Sequence, residues 1–77
     1  MDIVYCNQAK KAIERLAPPI KQRIRQGINN LPKGDVKKLK GFIHFYRLRI
    51  GDWRITFTME ANNIVIEDIL PRGDAYK

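Results

Sequence analysis

The chain has 77 residues, of which 44% are hydrophobic, and carries fifteen Lys+Arg against eight Asp+Glu, a formal charge of +7. That length allows one small domain with a thin core and excludes a multidomain enzyme. One cysteine, Cys6, excludes an intrachain disulfide and a thiolate metal site, and suits a reducing cytosol. No apolar run approaches the roughly 18–20 residues of a membrane span. The opening Met1-Asp2-Ile3-Val4-Tyr5 has neither the basic start nor the long apolar core of a signal peptide. The expectation is a cytoplasmic protein without a membrane partner.

The charge is unevenly placed. Residues 1–41 hold ten Lys/Arg against three Asp/Glu, a balance of +7, while residues 42–77 hold five of each. Such a surface attracts polyanions, nucleic acid among them, although solvated lysines on helices and loops give the same count.

Ile3–Cys6 is a short β-prone run, and Asn7 offers a helix N-cap. Ala9, Ala12, Ile13 and Leu16 then recur at helical spacing. Ala17-Pro18-Pro19 stops this helix and starts another, because proline is tolerated in a first turn and not in the interior. The second helix places Ile20, Ile24, Ile28 and Leu31 on one face. The stretch from Asn29 to Asp35 is turn chemistry.

Beyond it the period changes from 3.6 to 2. In Tyr46–Ile50 the apolar residues share one face, and Arg47 and Arg49 share the other. Gly51-Asp52 is a two-residue hairpin signal. The return strand puts Trp53, Ile55, Phe57 and Met59 on one side and Arg54, Thr56 and Thr58 on the other. Ala61-Asn62-Asn63 is a second tight connection, and Ile64–Leu70 a third strand ended by Pro71. Adjacent Glu67 and Asp68 should then point to opposite faces, which excludes a paired-carboxylate site. Cys6 reads as a buried filler and Trp53 as hairpin or core packing.

The order strand, two helices, three strands predicts an α+β domain spanning residues 1–77. A helical hairpin covers one face of a small, twisted, mainly antiparallel four-stranded sheet. The other face carries Arg47, Arg49 and Arg54, with Arg72 placed to curl over its edge. The hairpin holding the first three has a single acidic residue, Asp52, in its turn. Guanidinium groups converging without an anion repel one another, and each matches phosphate oxygens bidentately. An ordinary solvated sheet face is the plain alternative.

Three segments together resemble the RelE/ParE superfamily of type II toxins. They are Val36-Lys37-Lys38-Leu39-Lys40-Gly41, then Tyr46-Arg47-Leu48-Arg49-Ile50-Gly51-Asp52-Trp53-Arg54-Ile55, and Arg72-Gly73-Asp74-Ala75-Tyr76-Lys77. The resemblance covers nearly the whole chain and favours the RelE-like branch. It implies a ribosome-dependent mRNA endonuclease that cuts A-site mRNA by attack of a ribose 2′-hydroxyl on the adjacent phosphate. The implied partners are the ribosome, mRNA and a cognate antitoxin with an acidic toxin-wrapping segment. Operator DNA would be met only through the antitoxin complex, and no cofactor or metal is implied.

By the same resemblance the catalytic set falls on Arg47, Arg49, Arg54, Arg72 and Tyr76. Lys37, Lys38, Lys40, Arg23 and Arg25 become candidates for contact with ribosomal RNA or antitoxin. Arg54 and Arg72 would stabilise the phosphorane charge, and Arg72 would also serve the departing 5′-oxygen. Tyr76 would stack on a displaced base. RelE has lysines where this chain has Arg47 and Arg49, and a guanidinium does not give up its proton. The general base is therefore unassigned; His44 has a suitable pKa but precedes the strand, and Tyr76 and water are further candidates. A ParE-like gyrase inhibitor and a non-catalytic RNA-binding relic are the competing readings. The ending at Lys77 leaves no room for the extra terminal helix of some relatives.

Overall fold

A computed structural model describes residues 2–39 and 45–71, so Lys40, His44, Arg72 and Tyr76 lie outside the described residues. The elements run β1 (Asp2–Tyr5), α1 (Asn7–Glu14), α2 (Pro18–Asn29), β2 (Asp35–Lys38), β3 (Phe45–Ile50), β4 (Trp53–Glu60) and β5 (Asn63–Pro71). They form one sheet in the order β1-β5-β4-β3-β2. β1 runs parallel to β5 and the other neighbours are antiparallel.

The sheet has five strands where four were expected. The additional one is β2, which has a single apolar residue and so lacks a visible alternation. Val36 pairs opposite Leu48 and packs on the core, and that contact holds the basic segment against β3.

The helices start as their sequences demand, with one change. Pro18 forces the preceding Ala17 into extended backbone (φ −60°, ψ 145°), and the Ala17 carbonyl accepts the Lys21 N–H at 2.9 Å. In α1 the N-cap is Cys6, not Asn7, and no side chain caps the helix. Cys6 is half-buried; its thiol donates to the Glu67 carbonyl at 3.1 Å and its N–H to the Ile66 carbonyl at 3.1 Å. The residue read as a filler therefore ties the β1–α1 corner to β5.

Ile13 from α1 and Ile24 and Ile28 from α2 meet Leu48, Ile55, Phe57, Ile64, Ile66 and Ile69 from the sheet, all at most 3% exposed. Each such side chain contributes about 1.5–3 kcal/mol by leaving water. Phe57 stacks on its facing residue Tyr46, with ring centroids 5.6 Å apart and planes at 18°.

β5 carries a bulge. Thr56 pairs with Asp68 and Phe57 with Ile66, which leaves Glu67 as the extra residue. The bulge shifts the phase, so Ile69 fills the core and Leu70 passes to the other side. Alternation therefore does not separate Glu67 from Asp68 as the sequence suggested. Asp68 instead accepts a hydrogen bond from the Gln8 side chain on α1. Among the described residues no helix is long and apolar enough to cross a membrane.

Candidate functional site

The two faces of the sheet follow from its register. Leu48 faces Ile55 and Tyr46 faces Phe57, all turned toward the helices. Arg47, opposite Thr56, and Arg49, opposite Arg54, therefore lie on the open face. The three arginines thus share one face of the sheet, as their alternation predicted. β2 adds Lys37 opposite Arg47 and Asp35 opposite Arg49, and β5 adds Leu70 opposite Arg54. Facing Cβ atoms in such ladders are about 4.5–5.5 Å apart.

The three arginines differ in state. Arg49 is exposed. The Arg47 side chain is 12% exposed, and its Nη2 lies 3.6 Å from Oδ1 of Asp35. The expectation that these groups lack a local carboxylate is corrected for Arg47, because its partner comes from the strand that the sequence did not reveal. Arg54 is only 5% exposed. Its Nη1 donates to the carbonyls of Gly51 at 3.3 Å and Trp53 at 3.2 Å, and its Nε is buried without a partner. Arg54 thus belongs to the open face by register while part of its guanidinium braces the β3–β4 turn.

Arg47–Asp35 is the one ion pair among the described residues. Arg49 and Arg54 face each other without a carboxylate at ion-pair distance among those residues. Like charges directly opposed in a sheet are unfavourable, and a buried cation with an unpaired N–H is more so. An anion would offset such an arrangement, and a phosphate suits the fork geometry of guanidinium groups.

The remaining candidates divide. Lys37 joins the open face, whereas Lys38 is opposite Tyr46 and turned the other way. Arg23 and Arg25 are on α2, which covers the opposite face. Arg23 reaches the β3–β4 turn and lines a crevice with Ile20, Ile24, Asp52 and Trp53. Arg25 shares a second crevice with Tyr5, Lys10 and Glu14. Burial pushes the Tyr5 phenol above its ordinary 10.0, with the Arg25 charge pulling it back down. The structure does not bring Arg23 and Arg25 to the arginine face. Arg72, Tyr76 and Lys40 lie outside the described residues. Asp35 was missed; the signal available was the polar pair Asp35/Lys37 flanking Val36. No group of three His, Cys, Asp or Glu suited to a metal ion occurs among the described residues.

A two-helix layer thus covers one face of a five-stranded α+β sheet, and opposed arginines lie on the other. Over residues 3–76 the chain matches the family described as the ParE toxin of type II toxin-antitoxin system, parDE, and it belongs to that family, within the RelE/ParE superfamily. It is 29% identical over 84 residues to Toxin RelE3 of Methanocaldococcus jannaschii, covering 99% of this chain and 96% of that one. It is similar to a chain of the RelB-RelE antitoxin-toxin complex from Methanococcus jannaschii, with TM-score 0.80, 27% identity and coverage of 95% and 94%. A chain of the archaeal RelE-RelB complex from Pyrococcus horikoshii OT3 gives TM-score 0.75 at 29% identity, covering 94% of each. These relatives favour the RelE-like branch.

Proposed function

We propose that the protein is a ribosome-dependent mRNA endonuclease, the toxin of a type II pair, that arrests translation by cutting mRNA in the A site. The observation that carries this reading is the facing Arg49/Arg54 pair, which has no carboxylate at ion-pair distance among the described residues. In this reaction the ribose 2′-oxygen bonds to phosphorus and the bond to the 5′-oxygen breaks. One proton leaves the 2′-hydroxyl and one reaches the departing oxygen. Arg47, Arg49 and Arg54 hold the scissile phosphate and stabilise the charge that builds on it. Arg72 assists the leaving oxygen, and Tyr76 stacks on the base. No arginine accepts the 2′ proton at working pH; Tyr76 or a bound water does so.

The matched structures are of complexes with RelB. They support a cognate antitoxin here, acidic where it wraps the toxin. The partners in action are the ribosome and mRNA in the cytoplasm, with operator DNA reached only through the antitoxin complex. The ParE description of the family keeps gyrase poisoning as the second reading.

Induced expression with and without Arg49→Ala and Arg72→Ala tests the assignment. Growth arrest should disappear in both variants while the antitoxin still co-purifies, and gyrase supercoiling in extracts should be untouched. Full toxicity of both variants would overturn the site, and lost supercoiling would favour the gyrase reading. Arg54→Ala is the less clean probe, because the Gly51 and Trp53 carbonyls would lose their donor at a cost of about 1–3 kcal/mol.

A further inference from the structure

We propose that Asp35 is a built-in competitor for the RNA phosphate, holding Arg47 in the free protein and giving way when a polynucleotide binds. The proposal rests on the phosphate-binding reading of the open face and adds a residue that tunes it. Asp35 faces Arg49 in the ladder, yet its carboxylate pairs on the diagonal with Arg47. Its oxygen is 3.6 Å from Arg47 Nη2, well beyond the roughly 2.7–2.9 Å of a tight charge-assisted hydrogen bond. The partners are unequally free: the Arg47 side chain is 12% exposed, while that of Asp35 is 58% exposed. The arginine is therefore fixed and the carboxylate is the member that can leave. Asp35 also begins β2, a four-residue strand at the sheet edge, directly after Gly34 with its φ of +113°. A carboxylate offers a guanidinium the same acceptor fork as a phosphate, so the two exclude each other at Arg47.

The test is titration of a short uridine-rich RNA oligonucleotide across a salt series, with thermal melting to verify that each variant is folded. Asp35→Asn should tighten binding by about two- to fivefold at low salt, the range of a released exposed ion pair. It should also steepen the slope of log affinity against log salt by about 0.7, one further phosphate contact on a single strand. Asp52→Asn makes the same change in net charge in the β3–β4 turn and should move neither quantity by as much. Equal effects of the two variants, or weaker binding by Asp35→Asn, would overturn the proposal. Arg47→Gln separates the two levels. If it leaves wild-type affinity and slope unchanged, the phosphate-binding reading itself fails; if it weakens both while Asp35→Asn changes nothing, only the competitor role fails.

Discussion

Arg54 carries a positive charge at 5% exposure with its Nε unpaired, and among the described residues no carboxylate lies at ion-pair distance from it. Its Nη1 holds the Gly51 and Trp53 carbonyls of the turn, but these bonds leave the buried Nε unsatisfied. Other residues show strain or burial with simpler consequences. Ala61 has φ +51°, a left-handed conformation that costs an L side chain about 1–2 kcal/mol. Glycine would remove that cost and lose about 0.5–1 kcal/mol of it to unfolded-chain freedom. Ala61→Gly should therefore raise the melting midpoint by a few degrees; a lower midpoint would contradict this account of the β4–β5 turn. Tyr5 gives a pH dependence. Its folded pKa is raised above 10.0 by burial, so the unfolded chain releases the phenol proton first. The contribution is intact below pH 10 and is lost as pH rises through the folded value. In denaturant titrations Tyr5→Phe should flatten the loss of stability above pH 10, and an unchanged profile would contradict the assignment.

At the scale of elements, the approach of α2 to the sheet depends on Gly27. A Cβ there would lie 2.3 Å from Ile50 Cδ1 and 3.2 Å from its Cγ1. Gly27→Ala gains about 1 kcal/mol of helix propensity and meets overpacking worth about 1–3 kcal/mol. The variant should be destabilised by up to about 2 kcal/mol in urea melts, and adding Ile50→Val should recover most of the loss. A stabilised single variant would show that α2 does not pack as described. The same scale explains what was legible in the sequence. Alternation in Tyr46–Ile50 and Trp53–Met59 placed three arginines on one face because each strand has a continuous apolar row. β2 escaped notice because Val36 alone supplies its apolar signal, and with it went Asp35, the carboxylate on Arg47. The Glu67 bulge was equally invisible: an extra residue leaves no local mark, yet it moves Ile69 inward and Leu70 outward.

For the whole molecule, the helix side and the open side of the sheet differ in what they carry. The helices bury the core and keep Arg23 and Arg25 on their own side, while the sheet presents Lys37, Arg47, Arg49 and Arg54 away from them. Among the described residues both sides carry basic side chains, and only the open side sets two guanidinium-bearing residues opposite each other. The most direct measurement is incubation of the purified toxin with ribosomes stalled on a defined mRNA, followed by mapping of the new RNA ends. Cleavage within the A-site codon should require the ribosome and should slow by about 10²–10³ in Arg49→Ala, the usual loss for one charge-stabilising donor. The absence of ribosome-dependent ends, or the same cleavage rate in Arg49→Ala as in wild type, would contradict the account.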